Sequence, residues 1–226
     1  MGDLGLVKAA LPNKVQVAQK QSVATTAQSQ KVRTVLVPVS KAETPKEKFE
    51  KKSHLLPAGI LNKLKEKQLR VGDDFLYAVK YAGGQSVVNM FKSGDKKNIG
   101  EASIAFGKMP SNKYFVASGI VVLSGVADSN GNDPAVGAAV EFDVIAAELA
   151  NAEFEFKIGQ KIYFEEASCE IFKHRRTDLT VGYYELSEPI LIMSDEDIRF
   201  DIKTSIPIPA NTWVKVILVG AITGKN

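Results

Sequence analysis

The sequence predicts a mainly β protein, an antiparallel β-sandwich or jelly roll preceded by an extended N-terminal arm and two short helices. Two observations carry that prediction. From Gly72 onward, short apolar runs with a period of two residues, or none, alternate with glycine and turn residues. They make about eight or nine strands at a spacing of roughly ten residues, too close for βαβ crossovers over most of the body. Ahead of them, residues 1–53 hold ten Lys/Arg against four Asp/Glu, while the remainder holds nineteen against twenty-two. A basic arm, residues 1–53, thus precedes a slightly acidic body, residues 54–226, and such asymmetry suits contact with polyanions or with acidic neighbours.

Within the arm, LPNKVQVAQKQSVATTAQSQ (residues 11–30) holds no aromatic residue. It buries too little apolar surface to offset its ordering entropy, so it gains order only against another surface. VRTVLVPV (residues 32–39) has the β-branched content of a strand, and Pro38 confines it to an edge or a strand end. It reads as a strand added to something else. Thr44, Pro45 and Glu47 supply an N-cap, an N1 proline and a capping-box acid, which predict a helix over residues 45–53 with a face nearly all charge. A second helix is expected from Pro57 or Ala58 to Gln68, with Ile60, Leu61 and Leu64 as its apolar stripe. These helices join arm to body.

In the body, Phe75, Tyr77, Val79 and Tyr81 alternate along a strand that Gly83-Gly84 ends, with residues 86–91 as its return strand. Residues 114–123 predict a long buried strand closed by Ser124-Gly125 and the turn DSNGNDP. A helical turn is expected over residues 146–152. In FEFKIGQKIYFEE, Phe154, Phe156 and Ile158 alternate with Glu153, Glu155 and Lys157 before Gly159-Gln160. That is a two-residue hairpin with glycine where a type II′ turn needs positive φ. Further strands are expected at residues 181–186, 190–193, 198–202 and 213–219, and Pro207 and Pro209 make the intervening SIPIPAN an extended loop. No repeat of fixed period argues for a propeller or solenoid.

At 226 residues and 45% hydrophobic, the chain suits one sandwich plus an appendage, large enough to fold without staples. The single Cys169 rules out an internal disulfide and a thiolate metal cage. The first residues show no secretion signal or lipid anchor, and the longest apolar runs fall short of the roughly 20 residues that span a bilayer. The chain is expected to be soluble inside a cell and not secreted.

Residues able to carry chemistry are few, and the chain reads as a non-enzyme without cofactor or metal. His54 ends a charged helix and His174 lies in the basic run KHRR, so both read as solvated. Cys169, in EASCEIF, reads as a small buried hydrophobe. DSNGNDP places Asp128, Asn130 and Asn132 like the first ligands of an EF-hand. However, Asp133 stands where glycine is needed and Ala139 where the bidentate glutamate is, so a loop tip is the better reading. The acidic run Ser194-Asp195-Glu196-Asp197 reads as a solvated turn, and no glycine pattern of the nucleotide-binding kinds stands between a strand and a helix. The candidate contacts to nucleic acid or to neighbouring subunits are Lys14, Lys20, Lys31 and Arg33 in the arm and Lys173, Arg175 and Arg176 in the body.

The arm KVQVAQKQSVATTAQSQKVR, the closely spaced strands and the closing SIPIPANTWVKVILVGAIT make the whole chain resemble viral coat proteins of the jelly-roll type, bacteriophage ones among them. The resemblance implies a structural subunit that self-assembles into a capsid or virion shell, made in the host cytoplasm and residing in the virion. Its implied partners are copies of itself, other virion proteins and, through the arm, nucleic acid. The arm departs from strongly RNA-binding arms in holding only five basic residues before Ser40, which makes a tie between subunits at least as good an expectation as genome binding. The alternative is a non-catalytic β-sandwich module that binds carbohydrate or peptide with its loops, which leaves the arm without a task.

Overall fold

The computed structural model describes residues 43–128, 133–173 and 180–225. Helix α1 (Pro45–Lys52) starts as its capping box dictates: the Glu47 amide donates to Thr44 Oγ1 at 3.2 Å, and the Thr44 amide donates back to the Glu47 carboxylate at 2.7 Å. A 3₁₀ turn (Ser53–Leu55) leads to α2 (Ala58–Lys65). This second helix ends in a Schellman motif, with the Gln68 amide on Lys63 O and the Lys67 amide on Leu64 O. Lys67, at φ 59°, holds the left-handed position that glycine usually takes.

Nine strands follow among the described residues. β1 (Leu69–Tyr81) runs into a corner at Gly83-Gly84, and β2 (Val87–Asn89) lies beyond it. β3 (Phe115–Val126) is the buried run expected from residue 114, and it continues through Ser124-Gly125 instead of stopping there. Next come α3 (Pro134–Ala139), β4 (Asp143–Val144) and α4 (Ala147–Ala150), the last being the expected helical turn. The hairpin β5 (Glu153–Ile158) and β6 (Lys161–Ser168) turns at Gly159 with φ 56°, as a type II′ turn requires of its first central residue. β7 (Tyr183–Ile192), β8 (Ile198–Lys203) and β9 (Thr212–Lys225) complete the chain, the last two joined by the proline-bearing loop.

The strands form two antiparallel sheets. One has the order β1-β9-β3, with β7 and the short β4 sharing the far flank of β3; the other has the order β2-β8-β5-β6. With β4 set aside, the first strand pairs the last, the second the seventh, the third the sixth, and the fourth the fifth. That nesting is the jelly-roll form of a β-sandwich, a long hairpin ribbon rolled over on itself. It also explains why residues 86–91 do not return beside β1. The corner at Gly83-Gly84 carries the chain to the second sheet, where β2 pairs with β8. Strand period cannot tell a hairpin from such a corner.

The core between the sheets is aromatic at its centre. Phe154 stacks on Phe200 at 5.1 Å and 10°, with Phe172 at 5.2 Å and Phe164 at 5.3 Å. Each such ring is worth about 2–3 kcal/mol of burial. On β1 the core takes Leu76 and Ala78, whereas Tyr77, Val79 and Tyr81 face the other way and pack with Trp213 under α3. Gly137 makes that cover possible, since a Cβ there would stand 2.3 Å from the Trp213 ring.

The remaining half of the first sheet's outer face is covered by α1 and α2. Phe49, 1% exposed, packs with Leu56, Ile60, Tyr114, Val116 and Ala221. The first helix, which the charge pattern grouped with the arm, therefore packs on the body, and its face is not all charge. No helix among the described residues is long and apolar enough to cross a membrane.

Candidate assembly interface

Of the basic residues singled out in the sequence, Lys14, Lys20, Lys31 and Arg33 lie outside the described residues, as do Arg175, Arg176 and His174. Lys173 is exposed and follows the 3₁₀ turn Cys169–Phe172, its amide donating to Glu170 O at 2.9 Å. The structure thus describes one member of the predicted basic sites.

What it does show is how the root of the arm is fixed. Lys48 donates to Glu185 at 2.5 Å and Lys52 to Glu188 at 2.5 Å, tying α1 to β7, while Lys51 pairs with Glu43. The Lys48 side chain is 11% exposed against 60% for Glu185, so the ammonium sits under the helix and the carboxylate faces water. The hydrogen bond from Lys52, with its charge, holds the Glu188 carboxyl below its ordinary 4.5.

These carboxylates sit where β7 is irregular. Ala117 of β3 faces Ile190 and Gly119 faces Glu185, so Ser118 alone stands opposite residues 186–189. The two runs expected at 181–186 and 190–193 are thus one strand with a wide bulge, and Pro189 lies inside it. The proline and the acids are familiar guards of a strand edge.

Two connected grooves flank this bulge. The larger, about 580 Å³, runs between β7 and β6 and is lined by Leu55, Tyr163, Phe164, Leu186, Ile190 and Met193 among others, together with Lys52, Lys161, Glu188 and Glu196. The second, about 500 Å³, is lined by Glu43, Lys48 and Lys51 and shares Lys52, Leu186, Ser187 and Pro189 with the first. Among the described residues β6 pairs only with β5 and β7 only with β3, so the groove lies between two strand edges. The opposite margin of the first sheet is different. There the segment around residues 101–103 covers β1, with the Val79 amide on Glu101 O at 2.7 Å and the Ser103 amide on Tyr77 O at 3.0 Å.

Among the described residues, several of the polar groups singled out in the sequence have structural partners. Cys169 is buried, and that burial, with the Glu153 charge added, pushes its thiol up to about 12, far from a thiolate nucleophile. His54 is exposed and its Nδ1 lies 2.9 Å from Lys51 O. Asp133 caps α3, accepting from the Ala135 amide at 2.9 Å. The Ser194–Asp197 run is more than a solvated turn: Ser111 Oγ donates to Asp195 at 2.6 Å, and the Asn112 amide donates to Ser194 Oγ at 2.8 Å. These bonds clamp the long β2–β3 connection, and the first of them leads in holding the Asp195 carboxyl below its ordinary value.

A cleft of about 230 Å³ beside Trp213 has the residue types of a sugar site: Tyr81, Gln85, Asn89, Lys92 and Glu101. Three of its side chains are already engaged, while the Trp213 indole Nε1 is buried without a hydrogen-bond partner. Gln85 donates to Tyr81 O at 2.7 Å, Asn89 donates to Asp201 at 2.7 Å, and Tyr81 meets Trp213 edge-on at 5.6 Å. Among the described residues no three His, Cys, Asp or Glu stand together as a metal site. Sequence reading passed over Phe49, Lys48, Lys52, Glu185 and Glu188. The signal that pointed to them was the lone Phe in an otherwise charged helix. Comparison with protein-family models, with curated proteins and with solved structures finds no significant match for this chain.

Proposed function

We propose that the chain is a structural subunit that self-assembles into a viral capsid or virion shell, its N-terminal arm tying neighbouring subunits or contacting packaged genome. The observation that carries this reading is the jelly-roll body whose arm root is pinned on one margin by α1, directly beside a partly apolar groove between two strand edges. A basic arm too poor in apolar residues to fold alone, entering the body there, suits a subunit that completes itself against its neighbours. Because one fold hosts many functions, the fold alone does not carry the claim. The partners expected are copies of this chain and other virion proteins, with the virion as its residence.

The competing reading is a monomeric binding module for carbohydrate or peptide, with the cleft beside Trp213 as its natural site. Size-exclusion chromatography with electron microscopy of the purified full chain separates them. The shell reading expects closed particles or large capsomers at micromolar concentration. A monomer whose elution does not change with concentration would sink it in favour of the module.

A further inference from the structure

We propose that the groove between β6 and β7 is the seat of residues 32–39 of a second copy of this chain. The groove is partly apolar at its floor, where Leu186 and Ile190 are buried, while Leu55 beside them is 49% exposed. It lies between two strands that each pair on one flank only among the described residues. A segment suited to such a seat is extended, aliphatic and slim. VRTVLVPV qualifies, with five aliphatic side chains, Val32, Val35, Leu36, Val37 and Val39, and no aromatic ring.

The fit extends to the irregularities. Pro38 denies the segment a complete ladder of backbone hydrogen bonds, and the bulge with Pro189 denies one to β7, so each side is interrupted and side-chain packing carries the contact. The geometry of the root adds a third argument. Glu43 lines the adjoining groove, which shares four residues with this one. Four chain steps separate Val39 from Glu43, a reach of at most about 14 Å, so two copies that bring these margins together can exchange arms across a short gap.

That the donor is a second copy rests on the assembly reading above; the chemistry of groove and segment does not. The test uses two full-length variants, one carrying Leu36→Cys and the other Ser187→Cys, an exposed groove position. They are mixed under assembly conditions and oxidised by oxidised glutathione, which takes up the two electrons as the two thiols join. On a non-reducing gel the expected result is a disulfide-linked dimer of the two variants, about tenfold above a control pair that replaces Ser187→Cys with Lys203→Cys on the outer face of the second sheet, as the local concentration in a seated arm demands. A chain carrying both Leu36→Cys and Ser187→Cys that closes on itself, with no link between chains, would overturn the second-copy donor. No link in either format would overturn the groove as the seat. Particles imaged in the same mixtures separate the failures. Particles without a link sink the groove alone, whereas neither particles nor a link sinks the assembly reading with it.

Discussion

Phe49 is the only aromatic residue in the first 53, and it is 1% exposed against the outer face of the first sheet. Lysine and glutamate surround it in sequence, which is why the helix reads as a charged appendage when charge alone is summed. A single ring changes that assignment because one buried Phe outweighs several exposed ion pairs, each worth under about 1 kcal/mol. Phe49→Ala should therefore lower stability by about 3 kcal/mol, the lower end for Phe truncations, since detachment of α1 limits the loss. Urea denaturation measures it, with tryptic cleavage at Lys51 and Lys52 reporting whether the helix has come away. An unchanged midpoint with unchanged cleavage would show that Phe49 does not hold the arm root. Cys169 was legible as a structural residue from its neighbours in sequence, whereas Asp133 read as part of a loop tip and caps α3, a helix the sequence did not predict. The partners of Lys48 and Lys52 were not, because Glu185 and Glu188 lie more than 130 positions away and only the fold brings them near.

Among the elements, the β5–β6 hairpin was read at nearly its true extent, whereas β1 begins six residues before the alternation at Phe75 and β9 runs six residues past Val219. A type II′ turn needs its glycine, which made the hairpin legible, although the pairing shifts register between Lys157 and Phe156 and again between Phe156 and Phe154. What period two cannot convey is which sheet a strand joins or which face it buries. β2 went to the second sheet, and the aromatic side of β1 turned away from the main core because α3 and Trp213 supply a second apolar cover. Likewise, residues 181–192 read as two strands because four of them bulge out opposite Ser118.

That bulge presents Glu188 to Lys52, and the pair gives the contact between α1 and β7 a pH dependence. The carboxyl is held below its ordinary 4.5 in the folded chain, so its contribution is present above that value and lost as pH falls through the lowered one. The melting temperature of Glu188→Gln should therefore lie below that of the unaltered chain at neutral pH and converge with it in acid. A gap that persists or widens in acid would contradict the sign.

Across the whole molecule, the fold class was legible because spacing, turn residues and the absence of helical periods over most of the body agreed. The rolled pairing of first strand with last was not, because ladders between residues 69 and 225 leave no local mark. The candidate interface was legible only by half. The arm announced itself through composition, but the groove is built from residues 52–55, 161–164 and 186–196, which no local window contains. On the proposed assembly, the body folds without the arm and forms particles only with it. Sedimentation velocity on the chain lacking residues 1–40, beside the full chain, tests this most directly. The shortened chain should sediment as a folded monomer or small oligomer while the full chain runs as particles; shortened chains that sediment as particles of full size would overturn the role given to the arm.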